Sequence, residues 1–325
     1  LRFWLSGEYV AEMSDAAGTS WLDVKKRDWS DELLAATGLD RSQMPRLVEG
    51  SEISGLLKGN LAAKWGLTGD VIIAGGGGDN AASAIGVGVV KGGDAFVSLG
   101  TSGVLFAASD AYQPDAASAV HTFCHALPDT WHQMGVILAA TDAMNWFSKV
   151  LNSSVQEMTS KLGEIKAPSD TLFLPYLGGE RTPHNDAKIR ASFVNLDHNA
   201  DRETMTRAVI EGVTFAFKDS YDALTSTGTD IKQLVAVGGG SKSDYWVQAI
   251  ATTLGLPISI PVSGDYGGAF GAARLSMIAQ GASKDEVAIP PKIKKIIEPV
   301  MPLHDEYLSA LNSYRSAYKA LKTLT

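Results

Sequence analysis

An α/β protein, with its glycine turns gathered at one edge of the sheets, is the fold this sequence predicts. Three observations carry the prediction. Short apolar runs lead into glycine clusters and then into a strand or helix, as Val71-Ile72-Ile73-Ala74 does before Gly75-Gly76-Gly77-Gly78 and Leu234-Val235-Ala236-Val237 does before Gly238-Gly239-Gly240. The helical stretches between these runs are too long to be mere connectors, and no short-period repeat organises the chain.

Taken in order, residues 1–70 mix short helices with turns, and Ser30 before Asp31-Glu32 reads as a helix N-cap with acids in the first turn. The strand at 71–74 runs through the four glycines into small residues, Ala81 to Gly88, at helix-compatible spacing. Ala95–Leu99 and Val104–Ala107 flank Gly100-Thr101-Ser102-Gly103 as a hairpin. Strand-like sequence follows around His121–His125, Trp131–Leu138 and Thr171–Leu174, with a helix from Thr141 to about Leu151. The clearest helix spans Asp201 to about Thr225, where Met205, Val209, Val213, Phe217, Tyr221 and Leu224 form one apolar stripe. A helix capped by Ser243 is expected after Gly240, with Trp246 and Ile250 inward, and Gly264 to Gly281 repeats the turn-then-helix plan. The tail from Pro290 to Pro302 reads as irregular, before a last amphipathic helix carrying Tyr307, Leu311, Tyr314, Tyr318 and Leu321.

The 325 residues suffice for two ordinary domains or one large one, and 45% hydrophobic with 20% charged residues is a globular, ordered composition. A net charge of −8 argues against nucleic-acid or anionic-membrane partners, which need a basic stripe. The densest basic cluster, Lys292, Lys294 and Lys295, alternates with isoleucines as one face of a strand or turn. No apolar run reaches transmembrane length. Cys124 is the single cysteine, so no intramolecular disulfide forms and a cytoplasmic location is expected. Leu1 stands where an initiator Met would, and Leu1–Leu5 reads as the middle of a folded element, so the chain is expected to begin inside a longer protein.

The chemistry-bearing candidates are the glycine turns and Asp79. Backbone N–H groups and two hydroxyls in Gly100–Gly103 suit phosphate oxygens, although a plain hairpin reads the same way. Gly238–Gly240, between a buried strand and a helix, is either an anion seat or packing punctuation. Gly76, Gly78 and Ala81 imitate a dinucleotide fingerprint, but Asp94, at a tempting distance, sits in a turn among Lys91, Gly92 and Gly93. Asp79 follows four glycines at a strand–helix junction and fits two roles equally, general base or helix cap. His121, Cys124, His125 and His132 match no zinc spacing, and strand alternation sends His121 and Cys124 to opposite faces, so they are expected to be structural. Glu180-Arg181-Thr182-Pro183-His184 is polar and turn-like, either a cleft loop or solvated surface.

Several segments, in one order along nearly the whole chain, resemble motifs of the bacterial xylulose kinases in the FGGY carbohydrate kinase family. They are Ser14-Asp15-Ala16-Ala17-Gly18-Thr19, Gly76–Ala82, Ser98–Gly103, Phe123–Pro128, Phe173–Leu177, Gly179–His184, and Gly238–Ser241 with Trp246 and Gln248. The resemblance implies an actin- and hexokinase-like ATPase fold with a ribonuclease H-like motif. Residues 1–89 would end the first, sugar-binding domain and residues 90–325 would form the second, ATP-binding domain. It implies phosphorylation of D-xylulose to D-xylulose 5-phosphate with ATP and Mg2+, with a homodimer as the expected assembly. By the same resemblance Asp79 is the catalytic base and Asn80 binds sugar. Gly100, Thr101, Ser102 and Gly103 face the ATP phosphates, Gly239, Gly240 and Asp244 lie near the adenosine, and Asn145 is a further ATP contact.

The chain departs from the family pattern at Asp244 (many relatives have Asn), Asn195 (usually Gly), Thr204 (acid or amide) and Thr252 (Asp). The family's N-terminal Asp-x-Gly-Thr turn and substrate-facing Met-His pair have no counterpart, so these 325 residues alone are expected not to turn over. Three other readings stay open: a kinase of another sugar or polyol, a nucleotide-dependent oxidoreductase using Gly76–Ala81, and a non-catalytic sugar sensor. Nicotinamide binding against ATP binding separates the second from the kinases.

Overall fold

The computed structural model describes residues 1–262 and 267–324. Its main sheet has seven strands: β1 (Ala95–Leu99), β2 (Gly103–Ser109), β3 (His121–Cys124), β4 (Trp131–Ile137), β5 (Leu234–Val237), β6 (Ile258–Pro261) and β7 (Ile293–Ile297). Across the sheet they run β7-β6-β5-β1-β2-β4-β3. Neighbours are antiparallel except β6–β5 and β5–β1. Six longer helices matter here: α1 (Asp79–Gly86), α2 (Thr141–Leu151), α3 (Arg202–Ser226), α4 (Asp244–Leu254), α5 (Gly268–Ala279) and α6 (Met301–Leu321).

The sheet has a core on each face. On one, Val97, Leu99, Leu105 and Ile137 pack against α2, α3 and α4. On the other, Phe96 and Phe106 stack at 4.8 Å beneath Ala84 and Val87. Because β1 and β5 are parallel, with Ser98 opposite Val237, the glycine turns that end them open on the same edge. That register positions the site.

Several expectations change in three dimensions. Helix α3 begins after its N-cap Asp201, whose carboxylate accepts from Thr204 N at 2.8 Å. It does not present one apolar stripe, since Ala208 through Phe217 are buried without interruption. The sheet covers one side, while α4, the Leu172–Leu174 strand and α6 close the others. Gly212 allows the closest of these approaches: a Cβ there would lie 2.0 Å from the Phe173 carbonyl oxygen. The tail from Pro290 to Pro302 is not irregular. It contains β7, an edge strand on β6, and β6, bounded by Pro257 and Pro261, was not foreseen. Strand β6 does not alternate, with both ends buried and its middle half-buried, and its pairing with β7 shifts register between Ile260 and Pro261. Ser243 does cap α4, accepting from Trp246 N at 3.3 Å. Gly264, where a turn was expected before α5, lies outside the described residues.

Residues 1–89 carry short helices and three strand pairs: Val10–Glu12 with Arg46–Val48, Leu22–Asp23 with Asp28–Trp29, and Ile53–Leu56 with Ile72–Ala74. They join the main sheet at β3 and β4. Trp131 Nε1 donates to the Val24 carbonyl at 2.8 Å, and Arg27 pairs with Glu49 at 2.6 Å while donating to the Thr130 carbonyl at 2.7 Å. Cys124 is buried in the same cluster as Met13, Leu22 and Trp29, and burial pushes its thiol up to about 11. Among the described residues no helix is long and apolar enough to cross a membrane.

Candidate active site

The glycine run before α1 lets two loops touch backbone to backbone. A Cβ on Gly75 would fall 2.1 Å from the Glu49 carbonyl oxygen, and one on Gly50 would fall 2.3 Å from that of Gly76. No other residue fits there. The N-cap of α1 is Gly78, and Asp79 is the first residue inside the helix, so Asp79 is not its cap. Its Oδ1 accepts from Asn80 N at 2.7 Å and from Asn80 Nδ2 at 3.0 Å, and the side chain is exposed. A carboxylate in the first turn also sits well with the positive end of the helix.

Asp79 and Asn80 open on a small cavity of about 120 Å³, whose other walls are Ser14, Asp15, Phe123 and His132. The His132 ring stacks on Phe106 at 4.4 Å and meets His125 edge-on at 5.8 Å. Burial lowers both imidazoles, His125 to about 4, so both rings are neutral near pH 7. In β3 the half-buried His121 alternates with the buried Cys124. Among the described residues no group of three or more His, Cys, Asp or Glu side chains could hold a metal.

A second cavity of about 240 Å³ follows along α1, bounded by Ser83, Val87, Phe96, Ser98, Gly238 and Gly267. Asp79, Ser83 and Val87 are four residues apart and share one side of the helix. That side therefore runs from the carboxylate to the turn that ends β5. Gly238 takes φ +86 and a Cβ there would be 2.7 Å from the Leu99 carbonyl oxygen, so the two glycine turns are packed together. Gly239 faces open space, whereas Gly240 lies against Leu99 and the Thr141 methyl.

Within the Gly100–Gly103 turn the four residues differ. The carbonyl of Gly100 accepts from Thr141 N (2.9 Å) and Thr141 Oγ1 (2.8 Å), and that of Thr101 from Ala140 N (2.9 Å) and Asp142 N (3.2 Å). The first amides of α2 are thus spent holding the turn. Thr101 and Ser102 are exposed, with the Ser102 hydroxyl donating to the Leu138 carbonyl at 3.2 Å. Gly103 is buried, its Cα facing Ile137 and Phe217. Asn145 is exposed one turn beyond Thr141, and Asp244 is exposed at the start of α4 in an ion pair with Lys295 of β7.

Two buried acids stand behind these elements: Glu12, which sequence reasoning passed over, and Glu180, whose loop it left as either cleft or solvated surface. Glu12 accepts from Gly78 N, and no local signal marks it. Glu180 is not solvated surface: it is 2% exposed, and its Oε1 accepts from Leu138 N at 2.9 Å and Arg181 N at 2.8 Å. Burial raises its carboxyl to about 8. The Glu180–Thr182 loop continues the sheet edge beyond the His121 end of β3, with Thr182 N donating to the Val136 carbonyl at 3.0 Å. The dinucleotide fingerprint fails in three dimensions. The strand before Gly76 belongs to an antiparallel pair rather than a βαβ unit, and the Asp94 carboxylate closes a local turn on Val90 N and Lys91 N.

A seven-stranded sheet with a parallel centre, adjoining glycine turns and helices on both faces is the architecture of the actin- and hexokinase-like ATPase fold. Residues 95–280 match the model of the C-terminal domain of the FGGY family of carbohydrate kinases, and residues 1–86 match that of its N-terminal domain. The chain belongs to the FGGY family of carbohydrate kinases. It is 44% identical over 295 residues to the xylulose kinase of Escherichia coli (strain K12), which covers 90% of this chain and 61% of the relative. Among solved structures it is similar to a xylulose kinase from Brucella ovis (TM-score 0.98, 59% identity, 100% of this chain and 67% of that one). It is also similar to a gluconate kinase from Lactobacillus acidophilus (TM-score 0.91, 27% identity, 98% and 66%). The chain thus spans about 61% of the length of the Escherichia coli enzyme.

Proposed function

We propose that this chain carries the base and nucleotide seat of an ATP-dependent D-xylulose kinase, residues 1–89 ending its sugar-binding domain and residues 90–325 forming its ATP-binding domain. The observation that carries this reading is the exposed Asp79 carboxylate, on the same side of α1 as a cavity bounded by a glycine turn. The sugar's 5-hydroxyl oxygen bonds to the γ-phosphorus, the bond from that phosphorus to the bridging oxygen breaks, ADP leaves, and Asp79 takes the hydroxyl proton. Asn80, beside Asp79, orients the sugar. The Gly100–Gly103 turn receives phosphate oxygens at the exposed Thr101 and Ser102. Gly239 and Gly240 form the adenosine floor, with Asn145 and Asp244 at its rim.

Mg2+ is proposed as a companion of the ATP phosphates, since nucleotide-bound Mg2+ needs only one or two protein carboxylates. The described residues offer no ready-made cage of three or more His, Cys, Asp or Glu side chains for it. A cytoplasmic, homodimeric enzyme completes the proposal. Relatives supply further residues beyond the matched part, so turnover is expected of the product of the gene's entire reading frame. An ADP-coupled assay of that product with ATP and D-xylulose tests the reading, and absence of turnover with any sugar would refute it. The second reading, a kinase of another sugar or polyol, rests on the likeness to the gluconate kinase. The same assay with D-ribulose, D-gluconate and glycerol decides between them by kcat/KM.

A further inference from the structure

Glu12 ends the Val10–Glu12 strand, and only 4% of its surface is exposed. Its carboxylate accepts from Ser14 N at 2.8 Å, Asp15 N at 2.7 Å and the Ser14 hydroxyl at 2.8 Å. These bonds are local and cap the one-turn helix Met13–Ala16. A cap of that kind ordinarily needs only a short polar side chain open to water. The remaining contact is different. Glu12 Oε1 also accepts from Gly78 N at 3.0 Å, across 66 residues, and the Ser14 hydroxyl accepts from the same N–H at 3.0 Å. Gly78 is the residue before Asp79.

The chemistry of the loop explains why a buried acid is used. Gly75–Gly78 has no side chains with which to anchor itself, so its backbone N–H and carbonyl groups must do so, the Gly75 carbonyl by accepting from the Arg2 guanidinium. Gly75 N donates to the Glu52 carbonyl and Gly76 N to that of Gly50, which fixes the start of the loop. At the end, the Gly78 carbonyl accepts from Ala82 N within α1, and among the described residues the Gly78 N–H has Glu12 and Ser14 as its acceptors. Burying a carboxylate is costly unless donors surround it, and here backbone N–H groups and a hydroxyl converge on it from both sides of the acceptor cavity. The same carboxylate thereby ties Ser14 and Asp15, on one wall, to Asp79 and Asn80, on the other.

We infer that Glu12 is a positioning residue for the phosphoryl-acceptor site, setting the place and direction of Asp79 through Gly78. The inference rests on the reading of Asp79 as the base. It does not make Glu12 catalytic, because Glu12 touches no reacting atom.

Glu12→Gln tests it, because the amide keeps the shape but turns one acceptor oxygen into a donor facing other donors. In the 325-residue chain, amide exchange at Gly78 and Asp15 should accelerate at least about tenfold, while Leu234–Val237 in β5 stays protected. In the full gene product, turnover per nucleotide site, counted by ADP calorimetry, should fall about 10²-fold, as misplacement by about 1 Å does. ADP affinity should stay within about twofold, and Glu12→Asp should recover part of the loss by restoring the charge. Ser14→Ala, which removes one of the two acceptors for Gly78 N, should show the same pattern more weakly and serves if Glu12→Gln does not fold. Wild-type turnover despite fast exchange at Gly78 would overturn the inference, as would equal acceleration in β5, which would make Glu12 a general stabiliser. If the wild-type product phosphorylates no sugar, the kinase reading fails and the inference with it. The two failures are distinguishable because that one appears before any substitution is made.

Discussion

Asp79 has glycines behind it, Asn80 beside it and solvent in front, so its carboxylate is free to meet a hydroxyl. Asp79→Asn keeps the size but cannot take a proton. In the full gene product we expect turnover to fall about 10²–10⁴-fold with ADP affinity unchanged, measured by coupled assay and calorimetry. Turnover near wild type would reduce Asp79 to a local partner of Asn80. At this scale the exposure of Asp79 was legible, because four glycines before a helix leave a side chain unusually bare. Its N1 position was not, and Glu12 could not be found, because its partner lies 66 residues away. The departures from the family pattern also acquire local reasons. Asn195 takes φ +61, a conformation that favours Gly and that Asn tolerates. The buried Thr252 hydroxyl accepts from Val300 N at 3.0 Å, and Asp244 pairs with Lys295.

The hairpin shows what an element adds to its residues. Gly100 and Gly103 look equivalent in Gly-Thr-Ser-Gly, and both were expected to approach phosphate. A Cβ on Gly100 would meet only the Ser102 carbonyl, at 3.3 Å, whereas one on Gly103 would come within 2.5 Å of Ile137 and 2.6 Å of Phe217. Gly100→Ala should therefore leave the melting temperature nearly unchanged and weaken ADP binding. Gly103→Ala should cost about 1–3 kcal/mol of stability by overpacking, whatever it does to the nucleotide. Thermal melts with ADP titrations of both variants check this, and equal melting temperatures would contradict the packing assigned to Gly103. Helix α3 and strand β7 carry the same lesson. Apolar spacing located α3, but its burial on all sides depends on α4 and α6. The isoleucines of β7 read as a tail until β6 pairs with them.

For the whole molecule, the buried ionisable groups set a pH dependence. Burial raises Glu180 to about 8, Glu211 to about 7 and Asp219 to about 6, so the folded state holds protons that the unfolded chain releases near 4.5 or 3.8. Each contributes stability that is full below its unfolded value and is lost as pH rises through its folded value. His125 and His184, lowered to about 4, act oppositely but only below their unfolded value of 6.5. Stability should therefore fall from pH 6.5 to 8, with Glu180 accounting for about 1–2 kcal/mol. Denaturant melts across that range check it, and Glu180→Gln should flatten the slope. A second consequence concerns residues 1–89. Phe3 stacks on Tyr9 at 4.4 Å and Trp4 meets Trp65 at 6.0 Å, yet all four rings are more than 40% exposed. Such an apolar patch should make the 325-residue chain self-associate. Light scattering should show mass rising with concentration, and Trp4→Ser with Trp65→Ser should reduce it.

What the sequence determined by itself was local: apolar periodicity placed the helices, and glycines marked where strands end and turns begin. Those signals span a few residues, and backbone sterics read them without any partner. Tertiary structure decided which turns meet, because only the parallel register of β1 and β5 brings Leu99 against Gly238 and Gly240. It also decided which polar groups are buried. Beside their local donors, Glu12 and Glu180 each accept from an N–H that a distant segment delivers, that of Gly78 and that of Leu138. Burial and long-range hydrogen bonding belong to pairs of segments, and one segment read alone does not contain them.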